Sequence, residues 1–265
     1  MQLLRATPRP LILASTFFFA TAYFAVRFPD APGVASYVSA FLIAVPSLLA
    51  LFGYLGARRA ALCLLALSTF GYTVETVGVA TGLPYGTFYY GDALGQKALG
   101  LVPYLLPISY VPLVLGAVAA SWKDDSGSNR RVLLIFRSAL ILALMDGVLD
   151  PGAASLGFWV WPEAGAYYGV PLSNYAGWLI SGALAAALLL TLGRWRTTPP
   201  PGLLDSAVLA LAFWTGVAVF SALVLPTLLG TALLIYLYSR RSRLRSRSKT
   251  ALRAGRGIYF GRSRG

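Results

Sequence analysis

The chain has 265 residues, 57% of them hydrophobic and only 12% charged, against roughly 25% charged in a soluble domain. It carries 22 lysines and arginines against nine acids, a formal net charge of +13, one cysteine and no histidine. These numbers exclude a soluble globular domain, an internal disulfide and any site that needs imidazole. They do not indicate nucleic acid as a partner, because ten of the basic residues lie in the acid-free stretch from Arg240 to Arg264.

Apolar stretches of membrane-spanning length recur from Leu11 to Ser239. They read as helices near 11–27, 34–56, 60–80, 101–121, 132–150, 174–192, 203–221 and 224–239. The expected fold class is all-α: a polytopic integral membrane helical bundle of about eight transmembrane helices. Seven result if Leu203 to Ser239 crosses once; Pro226 is the expected break if it crosses twice. One bundle, residues 1–239, precedes a basic tail, 240–265, read as disordered, cytoplasmic and in contact with anionic lipids. Residues 1–22 resemble a secretory leader, with Arg5 and Arg9 ahead of an apolar run that ends in Ala20-Thr21-Ala22. With so many later spans, this segment reads as an uncleaved first helix.

In the third helix, which also holds Cys63, Glu75 interrupts the run from Ala60 to Ala80. The following loop reads Thr81-Gly82-Leu83-Pro84-Tyr85-Gly86-Thr87-Phe88-Tyr89-Tyr90-Gly91. Its glycines and prolines indicate tight turns folded back on the bundle, beyond the aromatic belt common at membrane interfaces. The fourth helix carries Pro103, Pro107 and Pro112, and such prolines suit the wall of a cavity. The fifth closes with Asp146 and Asp150, four residues apart and so on one face. Asp150 precedes Pro151-Gly152, so a role as a helix end or turn opener stands beside a functional one. The second loop holds Phe158-Trp159-Val160-Trp161-Pro162 and Tyr167-Tyr168-Gly169-Val170-Pro171-Leu172-Ser173-Asn174-Tyr175, which leads into the sixth helix. Asn174 and Tyr175 there read either as a cap and belt residue or as site residues. Both loops follow an acid-bearing helix and contain Tyr-Tyr-Gly, a faint sign of a parallel repeat over 60–121 and 132–192. Asp92 and Glu163 read as solvated loop acids.

Arg58 and Arg59, Lys123, Arg130 and Arg131, Arg194 and Arg196, and the tail all belong on the cytoplasmic side by the excess of positive charge there. Eight spans then place both termini in the cytoplasm, in a cell (plasma) membrane. Both aromatic loops, whose only basic residue is Lys97, fall on the opposite face together with Glu75, Asp146 and Asp150.

An ionisable group at hydrocarbon depth is costly and marks function by default. Without histidine there is no His-rich iron site and no Ser-His-Asp triad, and one cysteine excludes a thiolate cluster. No metal and no cofactor is expected. Carboxyl chemistry in an apolar cavity remains, with tyrosines as aids. A carboxylic acid kept neutral is a proton donor, and aromatic faces can stabilise a developing cation. Together they suit protonation of an alkene followed by capture of the tertiary cation by water.

The segments Glu75-Thr76-Val77-Gly78 through Gly86, Met145-Asp146-Gly147-Val148-Leu149-Asp150-Pro151 and Tyr168 through Tyr175 resemble the membrane carotenoid hydratases. These are of the γ-carotene 1',2'-hydratase and bisanhydrobacterioruberin hydratase type, and the match covers roughly residues 60–192. The resemblance implies addition of water across the terminal double bond of an acyclic ψ-end, giving a tertiary 1-hydroxy carotenoid without cofactor. On the chemistry above, Asp146 or Glu75 is the expected proton donor, and Asp150, or a water it holds, the nucleophile. Tyr85, Tyr89, Trp159, Trp161, Tyr168, Asn174 and Tyr175 are expected to bind the end group. The substrate, about as long as the roughly 30 Å hydrocarbon core is thick, would enter from the bilayer. Two other classes stay open. One is another isoprenoid enzyme, a cyclase or a prenyltransferase using Asp146-x-x-x-Asp150. The other is a carotenoid-binding or transport protein.

Overall fold

The computed structural model describes residues 10–25, 34–123 and 129–261, with side chains from 14–21, 37–123 and 129–248. Eight helices follow in order among them: α1 Pro10–Ala25, α2 Val34–Leu55, α3 Ala57–Thr81, α4 Leu106–Ser121, α5 Arg130–Ser155, α6 Leu172–Gly193, α7 Asp205–Phe220 and α8 Val224–Gly261. Among the described residues, five segments are long and apolar enough to cross a membrane: Tyr37–Leu55, Ala57–Thr81, Arg130–Ser155, Leu172–Gly193 and Pro201–Phe220. The chain is an all-α polytopic membrane protein. Arg5 and Arg9 of the leader-like stretch, and Arg262 and Arg264 of the tail, lie outside the described residues.

α4 and α7 form the centre of the bundle. α4 is buried continuously from Tyr110 to Ser121, and α7 is buried over nearly all of its length. Small residues let these two backbones meet, as is usual where no hydrophobic force drives helices together in lipid. A Cβ added to Gly116 of α4 would stand 2.3 Å from the Ala207 Cβ of α7. α2 is clamped to this centre lower down: Ser47 and Ser206 each donate a backbone N–H to the other's hydroxyl at 3.0 Å.

Four element limits differ from the sequence reading. α4 starts at Leu106 instead of residue 101, because β2 (Lys97–Ala98) and β3 (Val102–Pro103) form a small antiparallel hairpin first. α5 runs on to Ser155 with Pro151 inside it, so Asp150 is an interior helix residue and not a cap. The break between α7 and α8 falls at Ser221–Leu223, with Ala222 at φ 56°. Pro226 sits in the first turn of α8, where its missing N–H leaves no helical bond unmade. Helix α8 also continues through Gly261, across the segment read as a disordered tail. The start of that segment is held by partners in the bundle. Arg240 donates to the carbonyls of Ala120 and Trp122 at the end of α4, and buried Arg241 pairs with buried Asp205 of α7.

Candidate active site

The buried stripe of α3 is Ala60, Cys63, Leu67, Gly71, Glu75 and Gly78. The spacing of three and four keeps these residues on one helix face, which turns Glu75 inward. The corresponding stripe of α6 includes Asn174, Gly177 and Ser181. Between them α5 presents Asp146 and Asp150. All four polar side chains are buried, at 6% exposure or less.

Hydrogen bonds organise these groups. The Asn174 amide donates one hydrogen to Asp146 Oδ2 at 2.9 Å and the other to Asp150 Oδ2. The helix begins at Leu172 with Pro171 before it, so Asn174 is a bridge between two acids and not a cap. Glu75 Oε2 accepts from the Tyr90 phenol at 2.8 Å. Burial, and then the neighbouring Glu75 carboxyl, hold the Tyr90 phenol well above its ordinary pKa, so it stays a donor.

The two aromatic loops roof the site by pairing with each other. Tyr89 faces Val160 and Tyr90 faces Trp159 in a two-residue antiparallel ladder, β1 (Tyr89–Tyr90) with β4 (Trp159–Val160). Gly91 N–H donates to the Phe158 carbonyl at 2.8 Å beyond it. Successive strand residues point to opposite faces, which settles which tyrosine serves the site. Tyr90 is 7% exposed and turns in, whereas Tyr89 is 52% exposed and turns out. Inside the roof, Phe88 packs on Tyr90 and Trp161, and Tyr90 on Trp159, with ring centres 5.5 to 5.9 Å apart.

Tyr85 is pinned beneath them. A Cβ on Gly78 would lie 2.7 Å from one edge of its ring, and a Cβ on Gly177 2.6 Å from the other. The ring therefore fits only because α3 and α6 each present a glycine. Burial and the nearby Glu75 raise the Tyr85 phenol above its usual pKa as well.

These groups line a cavity of about 140 Å³. Glu75, Asp150 and Asn174 give its wall polar points, and Tyr85, Phe88, Tyr90, Trp159, Trp161 and Trp178 supply most of the aromatic surface. No lysine or arginine is on the wall among the described residues. Asp146 is not on it either; this acid stands behind, joined to Asp150 through Asn174. Tyr110, on α4, brings a buried hydroxyl without a protein partner to the cavity, and Trp161 brings its indole N–H likewise.

The remaining expectations divide. Tyr85, Trp159, Trp161 and Asn174 line the cavity. Tyr89 does not, for the strand reason above. Tyr168 is partly exposed, at φ 52°, and its hydroxyl accepts from the Leu225 N–H instead. Tyr175 packs on Tyr167 near the acid pair without reaching the cavity wall. Tyr167 ties the second loop down by donating to the Gly147 carbonyl at 3.1 Å. Asp92 and Glu163 are exposed, Asp92 in an ion pair with Lys97 at 2.9 Å. Aromatic wall residues that the sequence reading did not single out for the site include Tyr90, Tyr110, Trp178 and Trp214. Trp178 had a usable signal, since it lies one helical turn beyond Asn174.

Fold and site together define a multi-helical membrane protein in which the buried carboxyls of Glu75 and Asp150 face a largely aromatic cavity. The family of carotenoid biosynthesis proteins matches residues 33–237, and the chain belongs to that family. It is 42% identical over 189 residues to bisanhydrobacterioruberin hydratase of Haloarcula japonica, a match covering 67% of this chain. The chain spans 64% of that relative's length. No solved structure matches it.

Proposed function

We propose that the chain is a carotenoid hydratase that adds water across the terminal 1,2 double bond of an acyclic ψ-end and leaves a tertiary 1-hydroxy group. The observation that carries this reading is the pairing of two cavity-wall carboxyls, Glu75 and Asp150, with one small aromatic chamber. Its size supports the same reading. An engineered cavity of about 150 Å³ holds one benzene, so this one suits a five-carbon end with a water and not a coiled ten-carbon end on its way to a ring. That weighs against cyclisation, and a wall without lysine or arginine weighs against diphosphate chemistry.

In the reaction, one wall acid delivers a proton to C2 of the alkene, and the tertiary cation forms at C1 among the faces of Tyr90, Trp159 and Trp161. Water adds to C1 and loses a proton to the second wall carboxyl, so the two acids exchange roles at the end of each turnover. Asp146, expected as a proton donor, lies off the wall; it acts through Asn174 and Asp150 by holding them in place. Tyr90 fixes Glu75. The hydroxyl of Tyr110 and the indole N–H of Trp161 are the free partners for the water or the product alcohol. The relative from Haloarcula japonica, named as a hydratase, supports the same reaction class.

The test is conversion of an acyclic-ended carotene by purified protein in heavy-oxygen water. The expected product is more polar, carries one heavy oxygen per modified end and one solvent hydrogen on the adjacent carbon. An isomer of the substrate would indicate a cyclase. Bound but unchanged carotene would indicate a carotenoid-binding protein.

A further inference from the structure

The cavity is far too small for its proposed substrate. If about 150 Å³ accommodates six carbons, a carotene of forty carbons needs roughly seven times the space available. Most of the polyene must therefore lie outside the chamber while its end reacts, and the wall must open somewhere to let it pass.

The burial of the wall residues locates that opening. Ser109 of α4 is exposed, and next to it come Leu106 of α4 and Ser39, Ala40 and Ile43 of α2, none of them fully buried. Ser39, Ala40 and Ser109 are the smallest side chains of this part of the wall. The other partly buried wall residues are large and held by aromatic packing: Trp214 lies on Phe158 and Trp159, with ring centres 6.2 and 6.3 Å apart, and Trp178 on Tyr85 and Tyr110, at 6.4 and 6.0 Å. The roof is sealed by the paired loops.

This α2–α4 sector of the wall also has firm edges. Above it, the Tyr37 ring rests against the first loop, where a Cβ on Gly95 would lie 2.9 Å away. Below it, the Ser47–Ser206 hydrogen bonds lock α2 to α7, with Ser206 also donating to the Ala44 carbonyl at 2.9 Å. Tyr37 and Ser47 are ten residues apart, about 15 Å along a helix. The face of α2 beside the gap is apolar and open to its surroundings, with Val38, Phe41 and Leu42 between 53% and 57% exposed. Such a rim belongs in hydrocarbon, not in water.

We infer that the gap between the loop-proximal halves of α2 and α4, bordered by Ser39, Ala40 and Ser109, is a lateral portal. Through it the polyene of the substrate lies in the bilayer while its terminal unit occupies the acid chamber. This rests on the hydratase reading for the identity of the end group, but the seat of the polyene can be measured without turnover. A photoreactive benzoylphenylalanine is placed at Ser109, and a control at Leu184, an exposed α6 residue away from the cavity. Irradiation in membranes of a carotene-producing host should attach pigment at position 109 and not at 184. No attachment at 109, or equal attachment at both, overturns the portal.

A second arm uses Ser109→Trp and Ala40→Trp, each checked for an unchanged melting temperature in detergent, with Leu184→Trp as control. Both portal variants should lose about tenfold or more in kcat/KM for carotene, a loss of access read directly as a rate ratio. Leu184→Trp should convert carotene normally. Normal conversion by a folded Ser109→Trp protein also overturns the portal. If the unaltered protein itself forms no hydroxylated product, the hydratase reading fails, and the labelling arm still decides where a polyene binds.

Discussion

Adding a single methyl group at Gly177 should damage both stability and turnover. In a Gly177→Ala chain the new Cβ would stand 2.6 Å from Tyr85 Cδ1, 2.9 Å from Cε1 and 3.0 Å from Pro84 Cγ. Carbons rest about 3.5 to 4.0 Å apart, so the ring would have to retreat by about 1 Å. It has nowhere to go, because the α3 backbone at Gly78 already touches the opposite edge. Overpacking of this kind costs about 1–3 kcal/mol. Tyr85 also packs on Phe88 and Trp178, which line the chamber with Glu75, and a 1 Å displacement near reacting groups can cost about 10²-fold in rate. Thermal melting in detergent and pigment conversion in the same preparation measure the two losses. Tyr85→Ala removes the ring that the methyl strikes, so the double variant should be no less stable than Tyr85→Ala alone, a coupling of about 0.5–3 kcal/mol. Unaltered melting and conversion in Gly177→Ala, or strictly additive losses in the double variant, would refute the clasp.

Other expectations concern the acids, the roof and the anchoring of the bundle. Glu75→Gln and Asp150→Asn should each lower conversion by about 10²-fold or more, the scale of general acid–base catalysis, with folded protein still in the membrane; full activity in both would leave the mechanism without its acids. Tyr90→Phe should impair conversion while Tyr89→Phe leaves it intact, and the reverse order would contradict the strand alternation in the roof. Asp205→Ala strands the buried Arg241 guanidinium and should cost about 3–5 kcal/mol, seen as a lower melting temperature; an unchanged melt would show that the pair does not anchor α8. Reporter fusions at Asp92 and Ala164 should both score as extracytoplasmic, and a cytoplasmic signal from either would overturn the charge-based orientation.

The sequence by itself determined the class of protein, the position of nearly every helix and three of the acids that lie buried in the bundle, Glu75, Asp146 and Asp150. Each of these depends on properties that are local along the chain: run length against bilayer thickness, and the cost of charge in hydrocarbon. Helix periodicity put Asp146 and Asp150 on one face for the same reason. Tertiary structure alone decided which acid faces the cavity, because helix rotation depends on packing against α3 and α6. It showed Asn174 as the bridge between the aspartates, a contact across 24 and 28 positions of sequence that no local pattern encodes. It separated Tyr90 from Tyr89, which are equivalent in composition until a strand from the other loop fixes their alternation. The ordered start of the basic tail was hidden for a related reason: its partners, Asp205 and the end of α4, are distant in the chain. A tail without acids of its own looks unpaired until the bundle brings an acid to it.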